Sequence, residues 1–141
     1  MRPEHDIPPE TRPIRVLVLD DEPMILMGLR HTFISAGFEP ICARSCAKAL
    51  KAIDERSPDV AILDVNLGHE TCEVVAHRLR KMQVPFALHT GDLDRQGELV
   101  TRLAAAILAK PAFPDTIVQV VQNLHRDRTE TSSEEFGAKV R

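Results

Sequence analysis

Five short apolar runs, interleaved with longer amphipathic stretches, constrain this 141-residue chain more than any other feature: IRVLVL at 14–19, FEPIC at 38–42, DVAIL at 59–63, PFALH at 85–89 and AAILA at 105–109. Each has the length and apolarity of a buried strand. The intervening segments carry helical spacing, in Ile25, Leu29 and Phe33, then Cys46, Leu50 and Ile53, then Val75, Leu79 and Met82, and last Ile117, Val121 and Leu124. A further helix is expected over Leu93 to Leu103, short or mobile because Gly97 and many polar residues dilute its apolar face. Local punctuation agrees: Pro23 suits a first helical turn, Ser45 a helix cap, and Gly37 the stop of the first helix.

Strands alternating with helices imply an α/β domain with a parallel sheet wrapped on both faces, since parallel neighbours need right-handed crossovers. In such doubly wound sheets ligands sit beyond the carboxyl ends of the strands, where the winding reverses. The chemistry is therefore sought at those ends. Asp20 and Asp21 follow the first run, Asp64 the third, Thr90 the fourth and Lys110 the fifth. Three carboxylates brought together repel one another unless a cation neutralises them. Oxygen-only ligands point to a hard ion, and Mg2+ fits because it takes one or two carboxylates and leaves a position for a phosphoryl oxygen. Lys110 would place a positive charge on that phosphoryl group, Thr90 would donate a hydroxyl hydrogen bond, and Asp64 would attack in line.

The motifs VLVLDDEP, AILDVNL, ALHTG and ILAKPA, in that order and spacing, resemble those of response-regulator receiver domains over about residues 14–126. The resemblance implies the flavodoxin-like receiver fold, a five-stranded parallel sheet of order 2-1-3-4-5 with five helices. It implies Asp64 as phosphoacceptor, Asp21 as a direct Mg2+ ligand, Asp20 as a ligand acting mainly through water, and the main-chain carbonyl of Asn66 as a further ligand. Thr90 and Lys110 would contact the phosphoryl group, and Asn66 and Asp92 would tune its lifetime. The Lys110–Pro111 bond is expected to be cis. Ile107 stands where most receivers carry Tyr or Phe, so the aromatic part of their switch is absent. The loop VNLGHET resembles that of a subset of stand-alone bacterial receivers with an Asn-Leu-Gly loop. His69 and His89 lie near the site and are expected to serve loop and packing roles.

The implied partners are a sensor histidine kinase or histidine phosphotransfer protein, and a downstream protein target on the face made by the fourth helix, fifth strand and fifth helix. With no output domain expected after Arg126, the output would be a protein contact, or the chain would act as a phosphoryl shuttle or sink. A phosphorylation-independent binding module on the same fold is the competing reading. A turnover enzyme is disfavoured, for the chain has no P-loop, dinucleotide-binding or nucleophile-elbow motif.

Composition bounds the rest. Apolar residues at 43% and charged ones at 28% are ordinary for one folded domain, and no run nears the roughly eighteen apolar residues of a membrane helix. The start MRPEHDIPPETRP has acids and prolines where a secretory signal has a basic end and an apolar run, so the expected location is the cytoplasm. Cys42, Cys46 and Cys72 lack the spacing of a zinc site and are read as small core residues. A net charge of −3, with no Trp or Tyr and no basic run, argues against direct DNA binding. Residues 1–13 and 127–141 are expected to be flexible extensions of a domain spanning 14–126.

Overall fold

A computed structural model describes residues 12–140 except 92 and 104, with the side chains of 93–96 and 130–140 outside the description. The elements alternate along the chain: β1 Arg15–Leu19, α1 Pro23–Ser35, β2 Glu39–Ala43, α2 Cys46–Glu55, β3 Val60–Asp64, α3 Glu73–Lys81, β4 Phe86–Thr90, α4 Leu93–Leu103, β5 Ala106–Ala109 and α5 Pro114–Val140. The five strands form one parallel sheet of order β2-β1-β3-β4-β5, so the winding reverses between β1 and β3.

The period-two alternation of each strand sends neighbouring side chains to opposite faces of the sheet. Leu17, Leu19, Ala61, Leu63 and Leu88 pack with Ile53, Val75, Leu79 and Leu103 under α2, α3 and α4. Val16, Val18, Val60, Ile62, Ala87 and Leu108 pack with Leu29, Phe33, Ile117 and Val121 under α1 and α5. The central strands β1, β3 and β4 are buried almost throughout, which is why they read as apolar runs rather than alternating ones.

The helix signals work as expected. Pro23 opens α1, the Ser45 hydroxyl accepts from the Lys48 N–H at the start of α2, and Gly37 adopts φ +88° just past the end of α1. Gly97 does not stop α4, which is continuous across it because Leu99, Val100 and Leu103 are buried against the sheet.

One expectation needs correction. Cys46 and Cys72 are buried, but Cys42 is exposed, because β2 is an edge strand. At the other end of the chain α5 runs from Pro114 to Val140, past Arg126. Residues 127–136 contain neither Gly nor Pro to break a helix, and Arg128 Nη1 donates to the Asp59 carbonyl at 3.0 Å, tying the extended helix to the start of β3. Asp59 also holds Arg12 at 3.5 Å, so the segment just before β1 is tied to the same point, while the rest of the expected N-terminal extension lies outside the described residues.

Candidate functional site

Three strand ends deliver the site. Asp20 and Asp21 follow β1, Asp64 is the last residue of β3, and Lys110 follows β5. The sequence reading set Asp64 and Thr90 just beyond their strands. They instead close β3 and β4, because the parallel ladder continues through Asp64↔His89 and Thr90↔Ala109.

One carboxylate oxygen from each of Asp20, Asp21 and Asp64 lies within 4.8 Å of the others. Asp20 and Asp64 are buried, at 1% and 5% exposure, whereas Asp21 is partly open. Asp20 is fixed from two sides: its Oδ1 accepts from the Glu22 N–H at 2.9 Å and its Oδ2 from Lys110 Nζ at 3.1 Å. Lys110 Nζ also stands 3.4 Å from Asp64 Oδ2.

The electrostatics follow from this packing. Burial pushes the Asp64 carboxyl up to about 6; the Lys110 ammonium pulls it down and the Asp20 carboxylate raises it again. Burial alone would lower the Lys110 value, but Asp64 and Asp20 together hold the ammonium above the ordinary lysine range. The lysine is thus a fixed positive charge facing a carboxylate that resists ionisation.

The loop after Asp64 is folded back on itself. Asn66 and Thr71 form a bridge, Leu67 N–H donates to the Glu70 carbonyl at 2.9 Å, and Cys72 N–H to the Val65 carbonyl at 3.2 Å. Gly68 takes φ +83°, which an L side chain rarely adopts, and its N–H donates to Asn66 Oδ1 at 3.2 Å. A Cβ at Gly68 would sit 3.7 Å from Asp21 Oδ2, so the loop lies directly against the acidic cluster. Glu70, which the sequence reading passed over, accepts from the Cys46 N–H at 3.1 Å and so clamps this loop to the first turn of α2. Its signal in the chain is a lone Glu two residues after Gly68, which nothing local distinguishes from a solvated acid.

Thr90 is buried, and its carbonyl accepts from the Lys110 N–H at 2.9 Å, so the two residues are locked together at the edge of the sheet. The Lys110–Pro111 bond is cis. A Cβ at Gly91 would meet Lys110 Cβ at 3.5 Å, an ordinary van der Waals contact. Ile107 is 46% exposed and lies on β5 away from the cluster. Asp92 lies outside the described residues. Of the expected site residues, the fold therefore brings Asp20, Asp21, Asp64 and Lys110 into one group, sets Asn66 in the adjoining loop and Thr90 beside it, and leaves Ile107 apart.

An oxygen-only set of three carboxylates, one of them held protonatable near neutrality by burial, fits a small divalent cation. Asp20, Asp21 and Asp64 are the groups that would hold it. Receiver domains generally use Mg2+.

A doubly wound α/β domain with an acidic, lysine-completed site at the reversal between β1 and β3 belongs to the class of flavodoxin-like proteins that bind at the switch point of the sheet. Comparison narrows the class: the family model for the response regulator receiver domain matches residues 16–122, and the chain belongs to that family, the receivers of two-component systems. The fold is similar to that of the chemotaxis protein CheY4 of Vibrio cholerae, with 27% identity, a TM-score of 0.71, and coverage of 79% of this chain and 98% of that one. A receiver domain protein of Methanospirillum hungatei, at 18% identity and a TM-score of 0.77 over 84% of this chain and 98% of that one, agrees in fold. Among curated relatives, the transcriptional regulatory protein PrrA of Mycobacterium tuberculosis is 33% identical over 127 residues, covering 86% of this chain and 54% of that protein. The transcriptional activator ExaE of Pseudomonas putida is 28% identical over 116 residues, 77% of this chain and 54% of that protein. The chain thus spans about half the length of these relatives.

Among the described residues no helix is long and apolar enough to cross a membrane.

Proposed function

We propose that Asp64 accepts a phosphoryl group from a phosphohistidine, carried by a sensor histidine kinase or a histidine phosphotransfer protein, and that the modified domain is read by a protein target. The observation that carries this reading is the grouping of a buried Asp64 with Lys110 Nζ at 3.4 Å and two further carboxylates. An Asp64 oxygen attacks phosphorus in line, the P–N bond to the donor's imidazole breaks, and the imidazole leaves, taking up a proton. Bound Mg2+ supplies charge neutralisation of the acidic cluster and of the phosphoryl oxygens. Lys110 neutralises a further phosphoryl oxygen, and Thr90 donates its hydroxyl to another. Asp21, Asp64 and the main-chain carbonyl of Asn66 would hold the cation, and Asp20 would act on it mainly through water.

Release of the phosphoryl group goes by water attack, and we assign the tuning of that step to Asn66 and Asp92. The output face is that of α4, β5 and α5. There Ile107 is exposed and aliphatic, so the rearrangement on that face does not involve an inward-swinging ring. The relatives are named as transcriptional regulators, but a net charge of −3 and the absence of a basic run favour a protein target over DNA for this chain. Its place of action is the cytoplasm, and it turns over no substrate of its own.

Amide and side-chain spectra recorded with Mg2+, before and after beryllofluoride, test the reading. Shifts centred on Asp64, Thr90 and Lys110 and spreading to β5 are expected. A spectrum that beryllofluoride leaves unchanged, in a protein that binds Mg2+, contradicts it.

A further inference from the structure

We propose that His89 is a positioning residue of the acidic site: its buried imidazole is the acceptor that takes over the Lys110 ammonium when a divalent cation draws the carboxylates of Asp20 and Asp64 to itself. The inference rests on the metal-site reading above and concerns a residue that phosphoryl transfer itself does not use.

His89 is 4% exposed, and among the described residues neither Nδ1 nor Nε2 has a hydrogen-bond partner. Leaving a buried polar group unpaired costs about 1–3 kcal/mol, and nearly all such groups in folded proteins are paired. A leucine at this place would avoid that cost. The imidazole therefore needs a partner in another state of the site, and its surroundings indicate which.

His89 is in register with Asp64 on β3 and with Leu108 on β5. Paired residues of a parallel ladder share a face, and Lys110 lies two residues beyond Leu108, so His89, Asp64 and Lys110 fall on one side of the sheet. Lys110 follows β5 yet reaches Asp20 after β1, with β4 and β3 between them, and its charge is felt by the His89 imidazole on the intervening β4. Burial and then Lys110 keep the imidazole neutral, with Asp20 opposing them. A neutral imidazole offers one N–H and one lone pair, and an ammonium carries three donors.

Lys110 directs two of those donors to Asp20 Oδ2 and Asp64 Oδ2, oxygens of the same carboxylates that form the cation cluster. Asp20 Oδ1 is already committed to the Glu22 N–H. A cation entering the cluster competes with Lys110 for its acceptors, and the ammonium then has the imidazole lone pair on the same face of the sheet to turn to. Cation affinity should accordingly depend on His89, although His89 is no ligand.

The test is calorimetric titration of the full chain with MgCl2 for wild type, His89→Leu and His89→Gln, with urea unfolding of each without Mg2+. His89→Leu is expected to unfold at higher urea and yet bind Mg2+ about 3- to 10-fold more weakly, the size of one lost hydrogen bond. His89→Gln, whose amide oxygen restores an acceptor, is expected to recover most of the affinity. Titration of wild type with Mg2+ should also shift one imidazole 15N signal in the sense of accepting a hydrogen bond, a readout independent of any variant's folding. Wild-type affinity in His89→Leu, or imidazole signals unmoved by saturating Mg2+, would overturn the inference while leaving the metal site standing. Failure of wild type to bind Mg2+ would instead overturn the metal-site reading and this inference with it.

Discussion

Burial sets the chemistry of Asp64 and makes it testable by pH. Its carboxyl is pushed up to about 6 from the ordinary 3.8, so between those values the folded state holds a proton that the unfolded state has lost. Stability from this group is full below about pH 4, declines as pH rises through the folded value, and stays low above it. His89 works the other way, being lowered from 6.5 to about 4, so its contribution grows with pH across nearly the same window. The two slopes oppose each other in wild type. Asp64→Asn should therefore stabilise the metal-free protein at pH 7 by roughly 1–3 kcal/mol, and should unmask a stability that rises between about pH 4 and 6.5. Urea unfolding across that range decides it; a variant less stable than wild type at pH 7 contradicts the electrostatic account.

Lys110 is the counterpart, a cation whose partners Asp20 and Asp64 are both buried. Lys110→Ala leaves two buried carboxylates facing each other, at a cost of about 1–3 kcal/mol in the absence of metal. Saturating Mg2+ should restore much of that loss, because a cation satisfies the same oxygens, while phosphoryl transfer stays impaired. Thermal unfolding with and without Mg2+ measures the loss and its recovery, and intact mass after incubation with a phosphodonor measures the transfer.

At the scale of elements, the start of α2 is held by two separate acceptors, Ser45 Oγ for the Lys48 N–H and Glu70 Oε2 for the Cys46 N–H. Glu70→Ala should cost about 0.5–1.5 kcal/mol and free the loop after Asp64, seen as faster amide exchange at Leu67 and Cys72. Unchanged exchange there would mean that the loop's own hydrogen bonds suffice. At the opposite edge of the sheet, Arg128→Ala removes the contact that ties α5 to Asp59, and exchange should quicken in the helix beyond residue 126.

What was readable in the chain follows the same division. Helices stood out by their 3.6-residue period and the central strands as unbroken apolar runs, and the groups at strand ends could be listed because topology alone brings those ends together. The strand ends themselves were misjudged by a residue at Asp64 and Thr90, since a polar side chain does not interrupt a backbone ladder. The run of α5 past Arg126 was hidden because a charged Ser/Thr-rich helix and a charged Ser/Thr-rich tail have the same composition, and only the arginine contact tells them apart. Cys42 was assigned to the core from its apolar character alone, although the implied order 2-1-3-4-5 already sets its strand at an edge of the sheet. Likewise, His89 read as packing because burial without a partner is a property of the folded site alone.

For the whole molecule, membership of the receiver family accounts for the sheet order and for the position of the acidic cluster at the reversal of winding. The central claim is that this cluster makes Asp64 a phosphoacceptor. It is tested most directly by intact mass after incubation with a small-molecule phosphodonor, with and without Mg2+, on wild type and Asp64→Asn. The account predicts the mass of one phosphoryl group added to wild type only when Mg2+ is present, and none on the variant. Equal addition to Asp64→Asn, or none on folded wild type with Mg2+ and a phosphohistidine donor, would contradict it.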